Sequence, residues 1–314
     1  MGFRRLLLFC FSCMLSLPAV AVIHGQPSPV AAVSTGRLQV ELYRWYGGTN
    51  SMVTEYNHCS AVVVGTAPLT VLTASHCLQD AKLHPVTGNP IVSLYLGVPL
   101  PAVKEVIYSQ MHEVESNLAR DIAVLIFDGD APAGINAIPI SNKLAQTVKI
   151  CGYGRGYQDR YFDNPSCADK AVLSADDNFY RFVPQYYQQL DPQLHLQFRA
   201  QFTAKNAFVD AQSALLAVNR VTAHRYDLTL PMPTRGDSGG PWMVNDSQGG
   251  RGIIALTSFV ETFYRKNKQW SFFKSTKAPL SDFSYAAYGV RLNTREAREL
   301  LDQAREAGAD IQTL

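Results

Sequence analysis

An all-β fold, a barrel or sandwich closed off by one C-terminal helix, is what the sequence predicts. Three observations carry that expectation. Short stretches rich in Val, Leu, Thr and aromatic residues recur from residue 37 to 128 and again from 251 to 260, broken by Gly, Pro and Asn. No helical periodicity separates them, so strands pair with strands. Only the last segment carries helical spacing.

The first 21 residues stand apart. "MGFRRLLLFCFSCMLSLPAVA" has two arginines, an apolar run over residues 6–17 and a small-x-small end at Ala19-Val20-Ala21. This reads as a secretory signal peptide, because the run falls short of the roughly 20 apolar residues a spanning helix needs. No later segment is long and apolar enough to span. The mature chain, 22–314, is therefore expected outside the cell or in a periplasm, with no membrane partner. Losing Arg4 and Arg5 takes the formal net charge from +2 to 0, which offers nothing to a nucleic acid.

"LQVELYRWY", "CSAVVVG" and "LTVLTAS" are expected to be strands, followed by "IVSLYLGV", "KEVIYS" and "IAVLIFD". Residues 155–230 differ. "FYRFVPQYYQQLDPQLHLQFRAQF" is polar, aromatic and glutamine-rich without a clear period, and "AQSALLAVNRVTAH" suits either strand or helix. "RGIIALTSFV" returns to strand, and 261–284 reads as a basic, aromatic loop insertion. In "NTREARELLDQAREAG", Asn293 with Glu296 has capping-box spacing, and Ala297, Leu300, Leu301 and Ala304 form one apolar stripe. The 314 residues, 47% hydrophobic and 17% charged, suit one large domain or two of about 100–150 residues.

Of six cysteines, four outlast signal removal: Cys59, Cys77, Cys151 and Cys167. An even number in a secreted chain favours disulfides. Of three possible pairings, Cys59–Cys77 and Cys151–Cys167 keep both loops short. A glycosylation sequon stands at Asn245-Asp246-Ser247.

"RGDSGGPW", residues 235–242, fits neither helix nor regular strand and freezes glycines around one serine, Ser238. A serine hydroxyl becomes a useful nucleophile only when a histidine takes its proton, an acid orients that histidine, and donors meet the oxyanion. His76 follows an apolar strand in "VLTASHC". Asp121 opens another in "ARDIAVLIF", where an acid is costly without a partner. The chain order is His, Asp, Ser.

"TASHC", "RDIAVL" and "GDSGGP" resemble the histidine, aspartate and serine motifs of the trypsin/chymotrypsin-family serine proteases. The resemblance runs from Val22 to the C-terminal helix and is weakest over 155–230. It implies two packed six-stranded antiparallel β-barrels, roughly 22–135 and 136–314, with the active site between them. It implies a secreted serine endopeptidase acting on protein or peptide substrates as a monomer, with no cofactor and no metal. Carried over, Ser238 is the nucleophile, His76 the general base, and Asp121 the residue that orients it. The N–H groups of Gly236 and Ser238 form the oxyanion hole. Cys59–Cys77 matches the bridge that braces the histidine loop. A zinc site from His58, Cys59, His76 and Cys77 is the rival reading, disfavoured because it consumes the base and adjacent His-Cys pairs suit a tetrahedral ion poorly.

"VIHG", residues 22–25, resembles the family's activated N-terminus, whose amine pairs with the acid before the catalytic serine, here Asp237. Signal cleavage falls directly before Val22, so signal removal itself is expected to create that amine. The pattern also departs from the family. Thr234 stands where a cysteine usually braces the specificity pocket. Met232, the expected pocket base, has no charge to pair with Lys or Arg. Ser258 is expected beside the triad, and Val260 where a glycine usually opens the pocket wall. Small or apolar residues before the scissile bond are therefore favoured. A protease-like binding module with a closed pocket is the second reading. Another serine hydrolase is the third, disfavoured because no histidine follows Ser238.

Overall fold

A computed structural model of the chain describes residues 22, 25–46, 51–143, 145–154, 164–174, 194–197, 214–218, 231–245, 250–265 and 284–314. The expected signal peptide lies outside the described residues, as does most of 155–230. Among the described residues, no helix is long and apolar enough to cross a membrane.

The strands form two antiparallel sheets. The first takes β2 (Thr35–Tyr46), β3 (Ser51–Thr66), β4 (Leu69–Thr73), β5 (Val92–Tyr95), β6 (Val103–Tyr108) and β7 (Ala123–Phe127), ordered β5-β2-β3-β4-β7-β6. The second takes β1 (Gln26–Pro27), β8 (Thr147–Gly152), β9 (Ser166–Ser174), β10 (Leu194–Gln197), β11 (Ala214–Val218), β12 (Pro241–Asn245), β13 (Arg251–Arg265) and β14 (Ser284–Arg291). It runs β1-β9-β11-β14-β13-β12-β8, with β8 also paired to β9 and β10 attached to β13.

The all-β class with a C-terminal helix therefore holds, but a pair of closed six-stranded barrels is not what the pairings give. The first sheet is an open path, because its end strands β5 and β6 do not pair among the described residues. The second has eight strands, six of them linked in a ring and two peripheral. The peripheral β1 comes from the chain's N-terminal end, which crosses to the second sheet through Gln26 opposite Cys167.

Local sequence explains the elements. β4 and β7 are buried along their whole length, as the unbroken apolar run of β7 and the Leu, Val and Thr of β4 suit in the middle of a sheet. The ambiguous "AQSALLAVNRVTAH" contains strand β11. The expected loop at 261–284 is corrected at its start: β13 continues to Arg265, and its last residues pair with β10. Cross-strand pairing supplied by a distant segment decided this, and no local period announces it.

Helices α1 (Pro29–Ala32) and α2 (Met111–Ser116) are short, and α3 (Arg295–Glu306) closes the chain. The capping residue of α3 is Thr294, not Asn293: Thr294 Oγ1 accepts the Ala297 N–H at 3.0 Å. Asn293 instead accepts from Arg291 Nε at 3.1 Å. Ala297, Leu300, Leu301 and Ala304 are buried as the stripe predicted. They pack with Val62, Leu72 and Val124 of the first sheet and with Ile253, Leu256 and Val290 of the second. One core thus joins the helix to both sheets.

The tail beyond α3 continues this join. Asp310 Oδ2 accepts the N–H groups of Thr66 (2.7 Å) and Ala67 (3.1 Å). Leu314 N–H donates to the Ile140 carbonyl at 2.9 Å. Both expected disulfides, Cys59–Cys77 and Cys151–Cys167, are formed. The first ties β3 to the turn after β4, and the second ties β8 to β9.

Candidate active site

His76 sits in a 3-10 turn, Ser75–Leu78, directly after β4. Cys77 in the same turn is bonded to Cys59 of β3, so the turn cannot swing away from the sheet. The α2 helix leads through a second 3-10 turn, Leu118–Arg120, to Asp121, whose N–H donates to the Leu118 carbonyl at 2.9 Å. Two tight turns at one end of the first sheet thus bring residues 45 apart in sequence into contact.

The Asp121 carboxylate is wholly buried. Its Oδ1 accepts the His76 backbone N–H at 2.8 Å, and its Oδ2 lies 2.9 Å from His76 Nδ1. Ser258 Oγ also donates to Oδ2. Burial pushes the Asp121 carboxyl upward, but the His76 charge and these hydrogen bonds outweigh it and hold the group below its ordinary 3.8. An ionised carboxylate beside Nδ1 requires the ring proton on Nδ1. Nε2 then carries a lone pair rather than a proton, the form a general base needs.

Ser238 enters from the other sheet. It lies between the isolated bridge at Met232 and β12, with 6% of its surface exposed. Its Oγ donates to the Ser258 carbonyl at 3.4 Å. Ser258 therefore touches the acid with its hydroxyl and the serine with its carbonyl. Cys77 Sγ lies 3.9 Å from both His76 Nε2 and the Ser238 carbonyl oxygen. His76, Asp121, Ser238 and Ser258 form one cluster.

Gly236 has φ = +98°, a region that side chains rarely tolerate. Among the described residues, neither the Gly236 N–H nor the Ser238 N–H donates to a protein acceptor. Both are available to a developing oxyanion.

Asp237 is fully enclosed. It accepts the Gly154 N–H at 2.6 Å and the Thr234 N–H at 2.8 Å. Thr234 also accepts the Asp237 N–H at 3.0 Å, a reciprocal clasp where the resemblance leads one to expect a cysteine. Burial pushes the Asp237 carboxyl up to about 7, more than these backbone donors lower it. Gly154 permits the approach, since a Cβ there would stand 2.4 Å from Asp237 Oδ2. Val22 is buried, with its carbonyl 2.6 Å from the Gly25 N–H.

Met232 and Val260 are both buried in one apolar cluster with Val148, Trp242 and Ile254. Side chains at the expected pocket base and wall thus pack into core. The sulfurs of Cys59 and Cys77 and a His76 ring nitrogen lie within 4.8 Å of one another. The two sulfurs form a disulfide, which leaves no thiolate for a metal.

Three contributors escape sequence reasoning: Gly154 and Thr234, which donate to Asp237, and Ser60, whose Oγ donates to the Gly236 carbonyl. Thr234 stood out only as a missing cysteine, and Ser60 did not stand out at all. The available signal for Ser60 was a lone hydroxyl inside the apolar run "CSAVVVG". Among known families, the model described as Trypsin matches residues 35–201, more than half of the chain. That span includes His76 and Asp121. No curated protein matches the chain.

Proposed function

From the premise that this chain belongs to the trypsin family, we propose that it is a secreted serine endopeptidase working through Ser238, His76 and Asp121. The observation that carries this is the shared cluster: a buried carboxylate bonded to both the ring and the backbone of His76, with Ser258 linking that acid to Ser238.

Rotation about the Ser238 side chain turns Oγ from the Ser258 carbonyl towards His76 Nε2, a tightening common when substrate binds. Oγ attacks the scissile carbonyl carbon and its proton passes to Nε2. The carbonyl π electrons become an oxyanion held by the Gly236 and Ser238 N–H groups. Asp121 stabilises the resulting imidazolium through Nδ1–H. The intermediate collapses, the C–N bond breaks, and His76 protonates the departing amine. Water, deprotonated by His76, then cleaves the acyl-enzyme and regenerates Ser238.

Activation needs a cation for Asp237. In this reading, signal removal before Val22 frees an amine that pairs with that buried acid. The N-terminal segment already runs beside β9, which pairs with β8, and β8 leads into the Gly154 segment that holds Asp237. The two disulfides suit an oxidising, extracellular setting. With Met232 and Val260 packed at its base and wall, the pocket takes small or apolar side chains.

That same packing favours the second reading, a protease-like binding module with a closed pocket. One experiment separates them. Mature protein starting at Val22 is incubated with a denatured protein mixture and new termini are mapped by mass spectrometry, with Ser238→Ala as control. New termini after small or apolar residues, from wild type alone, support the protease. No cleavage, with Val22 verified as the N-terminus, supports the binding module.

A further inference from the structure

Ser60 lies on β3, in the first sheet, and has no exposed surface. Its Oγ donates to the Gly236 carbonyl at 2.9 Å and accepts the Tyr153 N–H at 2.8 Å. Its backbone N–H donates to the Ser238 carbonyl at 2.7 Å. Its own carbonyl accepts from Thr73 Oγ1 at 2.8 Å, which ties it to β4. The hydroxyl therefore uses its donor and one acceptor site on backbone atoms, and both partners lie in loops beside the nucleophile.

The Gly236 carbonyl belongs to the peptide between the two expected oxyanion donors. Its own N–H is that of Asp237, bonded to the Thr234 carbonyl at 3.0 Å, and the torsions on either side of it, ψ of Gly236 and φ of Asp237, help set the angle between the Gly236 and Ser238 N–H groups. Gly236 lacks a Cβ and sits at φ = +98°, so its own sterics do little to keep one orientation. A buried hydroxyl aimed at its carbonyl does. Rotation of the peptide would take that carbonyl away from its donor, leave the Ser60 O–H without its acceptor and break the Asp237 N–H hydrogen bond to Thr234, which is costly.

We propose that Ser60 is a positioning residue for the oxyanion hole: its hydroxyl holds the Gly236 carbonyl and thereby aims the Gly236 and Ser238 N–H groups. The proposal rests on the serine endopeptidase reading. The lock couples the sheets, since a first-sheet hydroxyl sets the shape of a second-sheet loop. It contributes to transition-state stabilisation rather than to substrate binding, because the ground-state carbonyl makes weaker demands on the hole.

The test uses Ser60→Ala and Ser60→Cys in the mature chain, with a peptide substrate taken from the mapped cleavage sites. Concentrations are normalised to Ser238 labelled by a fluorophosphonate. Ser60→Ala is expected to lower kcat by about 10- to 100-fold with KM within about twofold. A peptide aldehyde should lose affinity by a similar factor. Ser238 Oγ adds to its carbonyl carbon, the Oγ proton moves to His76, and the resulting alkoxide occupies the hole. Ser60→Cys, similar in size but a weak donor, is expected to fall between wild type and Ala, and it carries the test if Ser60→Ala does not fold. Unchanged kcat per labelled site and unchanged aldehyde affinity in a folded variant overturn the proposal while leaving the protease reading intact. Wild type without Ser238-dependent cleavage overturns both.

Discussion

Placing one extra residue ahead of Val22 is expected to make the stability of the fold fall as pH rises from about 4 to about 7. Asp237 is the cause. It is fully enclosed, and among the described residues it has only backbone donors, from Gly154 and Thr234, and no ion-pair partner. Burial raises its carboxyl from the ordinary 3.8 to about 7. Between those values the folded chain keeps a proton that the unfolded chain has lost, so stability declines as pH climbs through this window. The gap corresponds to about 4 kcal/mol, a large share of the roughly 5–15 kcal/mol a domain has. A chain starting at Val22 differs in the proposed reading, because its ammonium pairs with Asp237 and removes the penalty. That pairing raises the amine above its ordinary value of about 8, so its contribution is full below about pH 8 and fades as pH passes the folded value. Urea unfolding of both chains across the window measures the difference, in which all other titrating groups cancel. The curves should diverge towards neutral pH, and Asp237→Asn should flatten the curve of the extended chain. Parallel curves would refute the pairing of Val22 with Asp237.

Ser258→Ala removes a hydroxyl donor from the buried Asp121 carboxylate. It is expected to cost about 1–3 kcal/mol of stability by thermal melting and to move the onset of acid unfolding to higher pH, since that bond helps hold Asp121 low and stability from a lowered carboxyl is lost as pH falls. Val260→Gly should open the pocket wall to larger side chains in the mapped cleavage sites, at a cost of about 2–4 kcal/mol for the emptied core. An unchanged cleavage profile would remove Val260 from the pocket. Thr294→Ala should destabilise the fold by about 1 kcal/mol in urea, while Asn293→Ala changes little. The reverse result would return the cap to Asn293.

Much of this was legible in the chain because it is local. Largely apolar runs with turn residues between them announced β4 and β7, since burial on both faces demands that composition, and the alternation that buries Leu38 and Val40 announced β2. The motif residues were readable as a set rather than one by one: a histidine after a strand, an acid at a strand's mouth and a glycine-rich turn each have ordinary structural uses, but the His, Asp, Ser order with these flanks has few. The α3 cap was missed by one residue because Asn293 and Thr294 both cap well. The choice fell to the seat of the helix on the core, where Ala297 is buried. The end of β13 was read as loop because its partner, β10, lies more than 60 residues earlier.

By itself the sequence determined which side chains this protein has for chemistry, which of the regular apolar stretches become strands, and which cysteine pairing keeps the loops short. Only the tertiary structure decided what they do to one another. Asp121 became a low, ionised acid because two turns and Ser258 surround it with donors. Asp237 became a high one because burial outweighs the two backbone N–H groups that meet it among the described residues. Ser60, an unremarked hydroxyl in a strand, came to hold the Gly236 carbonyl 176 residues away. The physical reason is the same in each case. Residue type sets what a group can donate, accept or ionise, whereas distance and desolvation, which only packing supplies, set the strength and sign of the result.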